Sequence, residues 1–169
     1  MPPPANKAYQ LKVSLLGARP PIWRRLLVAP DTTFQDLHRI IQLAMGWQAC
    51  HLHMFQAGDD RLIGDPAEDF DGMQNFQDET MVAVSAVLNK EGQALTYDYD
   101  FGDSWEHEVR LEKVLPGDQG EPLPRCIKAV RQCPPEDVGG LPGFYDFLEA
   151  REDAAHPEHL AVREWMGGE

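Results

Sequence analysis

The sequence predicts an α+β fold: a mostly antiparallel sheet with a long hairpin, one main helix packed on the sheet, and short C-terminal helices. Period-two apolar runs bounded by turn residues occur near the N-terminus and again around residues 95–111. One run, "TTFQDLHRIIQLAMGW", has clear helical spacing, and two shorter helical stretches follow toward the C-terminus.

Taken in order, residues 1–7 contain three consecutive prolines, which offer no ladder donors, so they read as a disordered leader to a single domain over 8–169. "YQLKVSLLG" alternates at Leu11, Val13 and Leu15, and "IWRRLLV" follows the Arg19-Pro20-Pro21 break, which predicts an antiparallel strand pair. Over 33–45 a helix is expected: Thr32 and Gln35 form a capping box, Phe34, Leu37, Ile40, Ile41 and Ala44 make the apolar stripe, and Gly46 supplies a left-handed end. "HLHMFQA" returns to period two and reads as a strand with His51, His53 and Phe55 on one face, Leu52 and Met54 on the other.

Residues 58–79 hold eight acids against the single base Arg61 and read as a long acidic loop. As a calcium loop it fails, because Ala67 stands at the first ligand position and Asp78 at the last. In "DETMVAVSAVLNKEG", Met81, Val84, Val87 and Leu88 recur at helical spacing behind an Asp78 cap, although the β-branched valines also permit a strand. A Pro/Gly-rich stretch at 116–124 and a rigid corner, "CPPEDVGGLPG", precede short helices at 144–153 and 157–167, the last with Pro157 at its start and Gly167 at its end.

"YDYDFGDSWEHEV" at 97–109 permits two hairpin registers. A two-residue loop at Gly102 and Asp103 sets Tyr99 against Glu106 and mixes the faces. A three-residue loop at 102–104 pairs Phe101 with Trp105, Tyr99 with His107, Tyr97 with Val109 and Leu95 with Leu111, an unbroken apolar face, and is the expected register. It sets Asp100 opposite Glu106 and Asp98 opposite Glu108 on the other face, where like charges repel unless water, Arg110 or a bound cation relieves them. His107 then belongs to the buried face, with Asp103 or a tyrosine hydroxyl as its expected partner.

Composition bounds the function. With 28 acidic and 15 basic residues among 169 the net charge is −13, which disfavours direct binding to nucleic acid. The local exception is "RPPIWRR", where Arg19, Arg24 and Arg25 flank Trp23 beside a strand. No stretch approaches the ~20 apolar residues that span a bilayer, and three cysteines are odd in number for a disulfide framework, so a cytoplasmic protein without membrane partners is expected.

Candidate chemistry centres on His51, His53, Asp100, Asp103, Glu106 and His107. His51 and His53 share a strand face as paired ligands do, and with His107 they are the weak candidates for binding a divalent metal; no other cofactor is indicated. Cys50, Cys126 and Cys133 lack zinc-knuckle spacing, and the glycines of "PEDVGGLPGF" lack the lysine of a phosphate loop. Two function classes follow. The first is a noncatalytic accessory or interaction domain for a protein or small-ligand partner. The second is a metal-dependent enzyme, a hydrolase in kind, using that cluster and metal-activated water.

In this order, "PPIWRRLLV", "FQDLHRIIQLAMGW", "HLHMF", "YDYDFGDSWEHEV" and "CPPEDVGG" resemble the Ri-plasmid Orf-three-like family, whose members are also labelled transposon passenger proteins. The similarity runs from about residue 9 to 165. It implies a single α+β domain from bacteria or archaea, found in plasmid and mobile-element settings and without an established activity. Many of these relatives carry a second cysteine where this chain has Val138. A recombinase-like label also occurs in the family, but recombinase chemistry needs a nucleophilic Ser or Tyr amid DNA-binding arginines, a set absent from this acidic sequence.

Overall fold

The computed structural model describes residues 7–58, 60–69, 75–117 and 122–165. Its elements are β1 (Lys7–Leu15), β2 (Trp23–Val28), α1 (Phe34–Met45), β3 (His53–Ala57), β4 (Arg61–Gly64), β5 (Gln77–Asp78), β6 (Ala94–Tyr99), β7 (Trp105–Pro116), β8 (Arg125–Val130), α2 (Gly140–Glu152) and α3 (His159–Trp165). The eight strands form one sheet in the order β5, β4, β3, β6, β7, β1, β2, β8. Every pairing is antiparallel except β4 with β5. The fold is thus the expected α+β class, with β1 starting one residue before the predicted onset of order. Among the described residues, no helix is long and apolar enough to cross a membrane.

Period two selects the buried face. One row runs Ile63, Phe55, Tyr97, His107, Leu15 across five strands, and each of these residues is buried. Fully burying a large apolar side chain stabilises by roughly 1.5–3 kcal/mol. Helix α1 covers this face with Phe34, Leu37, Ile41 and Met45, and the Phe34 ring meets Phe55 edge-on at 4.9 Å. The opposite face is polar: Asp98 lies across from Glu106, and Trp23 sits under Lys12, Arg25 and Lys128.

Several expectations are corrected. The α1 cap is Thr33, which accepts from the Asp36 amide, not Thr32; a bridge to Ala83 holds Thr33 extended, while the Thr32 carbonyl accepts from the Val84 amide. Gly46 does end the helix in the left-handed region, at φ 79°. The expected helix behind Asp78 is reduced to a 3-10 turn, Val84–Ala86, because the amides of Val84 and Ser85 donate to the Thr32 and Pro30 carbonyls rather than to carbonyls one turn back in their own segment. Met81, assigned to its apolar stripe, is 81% exposed. The acidic segment is not one loop: it supplies β4 and β5, with residues 59 and 70–74 outside the described set. Strand β8 had no counterpart in the sequence reading. α2 starts at Gly140, ahead of the predicted 144, and α3 at His159 rather than Pro157.

The hairpin register is shifted by two residues from the expected one: Tyr99 pairs with Trp105, Tyr97 with His107 and Leu95 with Val109. A shift of two preserves facing, so Tyr97, Tyr99, Trp105, His107 and Val109 all point inward as predicted. Phe101 is instead thrown into a five-residue loop and is 48% exposed. The cause is Asp100. At φ 61° its side chain turns back to accept the amides of Gly102 and Asp103, and its carbonyl accepts from Ser104, closing the loop two residues early. Asp98 consequently faces Glu106 rather than Glu108; partial burial, then the Glu106 charge, raises its carboxyl above the ordinary range. Glu108 pairs with Arg110 at 2.9 Å.

The corner "PEDVGGLPG" is built on close approach. A Cβ on Gly143 would lie 2.0 Å from the Val138 carbonyl oxygen, and one on Gly140 would lie 2.9 Å from the Asp103 carbonyl oxygen. We predict that Gly143→Ala destabilises the protein by about 1–3 kcal/mol, since this overpacking outweighs the ~1 kcal/mol of helix propensity gained. A urea titration would show it as a lower midpoint at unchanged slope.

Three histidines, His38, His53 and His107, are buried, and burial acts on the first and last of them. His107 is wholly buried with Nδ1 at 3.1 Å from the Tyr97 carbonyl oxygen, so neither Asp103 nor a hydroxyl is its partner, and burial lowers its pKa to about 4. Burial, and after it the neighbouring His53 and Arg39, hold His38 near 3. Both are therefore neutral in the fold, whereas the unfolded chain protonates near 6.5. Stability is complete above that value and is lost as pH falls toward 4, by roughly 1.4 kcal/mol per pH unit for each histidine. Denaturation midpoints measured from pH 7 to 4 should fall accordingly, and His107→Gln should make the decline shallower; a profile parallel to the parent's would refute the assignment.

Candidate functional site

The sequence candidates separate into different environments. His51 and Asp100 come together, with His51 Nε2 at 3.5 Å from Asp100 Oδ2. Asp103 sits nearby, its Oδ2 accepting from the Gly139 amide. Glu106 lies on the polar face of the sheet opposite Asp98, and His107 is in the core. His53 does not share the setting of His51: β3 begins only at His53, and the left-handed Ala49 (φ 55°) turns the preceding residues outward. His53 Nε2 lies 2.7 Å from the buried Glu79 carboxylate, and its ring stacks on His38 at 3.4 Å. The three histidines proposed as joint ligands thus occupy three separate places.

What surrounds His51 comes from elements distant in sequence. His51 Nε2 lies 2.8 Å from Asp137 Oδ1. Next to it, Glu136 accepts from the Gln48 amide at 3.2 Å, from the Cys50 thiol at 3.3 Å and from the Tyr99 hydroxyl. The Trp47 indole donates to the Pro134 carbonyl at 2.8 Å. The segment 134–137 is therefore clasped by the turn that follows α1 and by the hydroxyl of a core tyrosine. Burial, with Glu136 and Cys50 adding to it, pushes the Tyr99 hydroxyl far above its usual range and keeps it a donor. At Cys50 the Tyr99 hydrogen bond works to lower the pKa, but desolvation and the Glu136 and Asp137 charges outweigh it, so the thiol stays protonated.

Among the described residues, the donor groups close enough to share one ion are Cys50 with His51 and Glu136, and His51 with Asp100 and Asp137. Cys126 is exposed on β8. Cys133 is buried against Arg24, and its pKa is raised to about 11 mainly by burial, so neither joins Cys50 in a zinc site. Glu136 and Asp137 were missed as site residues because in sequence they are only acids in a loop; the signal was the adjoining Gly-Gly, which with Asp137 adopts positive φ.

A second feature is a cleft of about 470 Å³ beside α2 and α3. Ile22, Phe144, Phe147 and Trp165 give it apolar walls, with Phe147 edge-on to Trp165 at 5.6 Å. Among the described residues, Arg19, Arg131 and Arg151 also line it, with Glu152 as the acid beside them. Of the "RPPIWRR" arginines, only Arg19 reaches this cleft. Arg24 is buried and bonds to the Ala44 carbonyl at the end of α1, and Arg25 is paired with Glu112 at 2.8 Å.

Comparison with known proteins gives one consistent answer. The chain is 38% identical over 158 residues to the uncharacterized protein y4hQ of Sinorhizobium fredii, covering 94% of this chain and 80% of that protein. It superposes with a TM-score of 0.86 and 36% identity on the crystal structure of MM3350, a protein of unknown function from Methanosarcina mazei Go1, across 96% of this chain and 90% of that one. The sequence pattern described as plasmid pRiA4b ORF-3-like protein matches residues 7–169. With near-complete coverage by pattern, relative and fold alike, the chain belongs to the plasmid pRiA4b ORF-3-like protein family.

Proposed function

We propose that this chain is a noncatalytic accessory domain, cytoplasmic and associated with mobile elements, that binds a partner protein through the cleft beside α2 and α3. The observation that carries this reading is the cleft itself, whose volume of about 470 Å³ falls in the range of evolved binding sites and whose walls are aromatic. Tryptophan, tyrosine and arginine are the residues that most often dominate binding energy at interfaces, and Trp165, Tyr145 and three arginines line this one. The family's plasmid name supports the mobile-element setting, and three unpaired cysteines support a reducing compartment.

The partner chemistry follows from charge. In a chain of net charge −13, a cleft lined, among the described residues, by three arginines and one glutamate is a local reversal of sign. It suits a peptide segment that presents large apolar side chains flanked by carboxylates, and the excess negative charge elsewhere disfavours a nucleic-acid backbone.

Peptides carrying a Trp or Leu anchor between acidic residues, titrated while tryptophan fluorescence is followed, should bind saturably and more weakly as salt is raised. Trp165→Ala, at a half-exposed position, should weaken binding by about tenfold or more. Charge reversal with Arg19→Glu should do the same for acidic peptides and spare neutral ones. Failure of every acidic-apolar peptide to saturate, or equal affinity in these variants, would refute the reading.

A further inference from the structure

We propose that His51, Asp100 and Asp137 form a binding site for one divalent transition-metal ion of the zinc class. The three residues reach the site from three parts of the fold: the turn before β3, the first position of the β6–β7 loop, and the corner before α2. His51 Nε2, Asp100 Oδ2 and Asp137 Oδ1 lie within 4.8 Å of one another. His51 Nε2 is 2.8 Å from one carboxylate and 3.5 Å from the other.

Two observations separate this cluster from an ordinary solvated group of acids. The first concerns His51 Nε2: it is shielded from solvent and makes no hydrogen bond, although two carboxylate oxygens lie close to it. An imidazole nitrogen and two carboxylate oxygens converging in this way form a donor set that a single ion can bridge. The second is charge. Asp100, Asp137 and the adjacent Glu136 bring three carboxylates into a small volume, and the ion pairs they form run only to His51 among the described residues. Asp100 is 8% exposed, so water screens it poorly. A cation on this axis neutralises what the imidazole alone does not.

The donor set selects the metal class. One imidazole nitrogen with two carboxylate oxygens is less hard than the all-oxygen shells of calcium and magnesium, and it suits zinc or cobalt. Cys50 is a neighbour rather than a member of this set: its thiol points to Glu136 at 3.3 Å, and the group it forms with His51 and Glu136 includes neither Asp100 nor Asp137. Three protein ligands leave a coordination position for water. Asp137 lies two residues after Pro135, which lines the cleft. The proposal does not depend on the binding role assigned to that cleft.

The test uses the full chain, stripped with chelator, exchanged into metal-free buffer and titrated with Co²⁺ while visible absorption is read, then with Zn²⁺ in competition. The expected result is one equivalent bound, with half-saturation in the micromolar range or tighter for Zn²⁺, and a cobalt spectrum lacking a sulfur charge-transfer band. Asp137→Asn keeps a residue that tolerates φ 59° and should lower affinity by about tenfold or more. His51→Gln should act in the same direction. Glu106→Gln, on the polar face of the sheet, should leave binding unchanged. No saturable binding by the parent protein would overturn the proposal, as would equal affinity of the Asp137→Asn variant and the parent; a strong sulfur band would overturn the ligand set.

Discussion

The Tyr97 side chain is the tie on which the architecture depends. It sits at the centre of the apolar row across β4, β3, β6, β7 and β1, fully buried, yet it carries a hydroxyl that must be satisfied. His38 Nδ1 at 2.6 Å and Gln42 Nε2 at 2.9 Å, both from α1, meet it there. An unpaired hydroxyl in that position would cost about 1–3 kcal/mol. The same bonds therefore satisfy the tyrosine and set how α1 sits on the sheet. They also explain two polar residues on the buried face of an otherwise apolar helix.

Tyr99, two residues along on the same face, extends the arrangement to the surface. Its ring stacks with Trp47 at 5.1 Å, and its hydroxyl emerges between Cys50 and Glu136. The turn after α1, the start of the hairpin loop and the 134–137 corner are thereby gathered around one rigid side chain. Loops held this way by a scaffold are where binding chemistry is usually found. The corner packs at close range, since a Cβ on Gly140 would meet the Asp103 carbonyl oxygen of the hairpin loop and one on Gly143 the Val138 carbonyl oxygen. Pro135 of the same segment lines the apolar cleft, so one segment contributes to both cluster and cleft.

Much of the fold was readable because its signals are local and periodic. The strand pair β1 and β2, the helix over 34–45 with its glycine end, the β3 strand, and the inward rings of the hairpin all follow from alternation or helical spacing. The hairpin register departs from the expected one for a local reason that pairing patterns do not expose: a carboxylate can cap a loop and end the ladder early. The stretch behind Asp78 departs from helix for a nonlocal one, since its amides donate to carbonyls of the chain just before α1.

For the candidate site the division is sharper. Sequence alone determined the fold class, the acidic balance and the identity of the histidines and acids available for chemistry, because composition and periodicity are properties of the chain itself. It could group His51 with His53 only by adjacency. Tertiary structure decided that His53 turns to Glu79 while His51 turns to Asp100 and Asp137. The physical reason is that a side chain's partners are set by which backbone segments the core brings within a few ångströms, and here Tyr97, Tyr99 and Trp47 place residues more than eighty positions apart side by side.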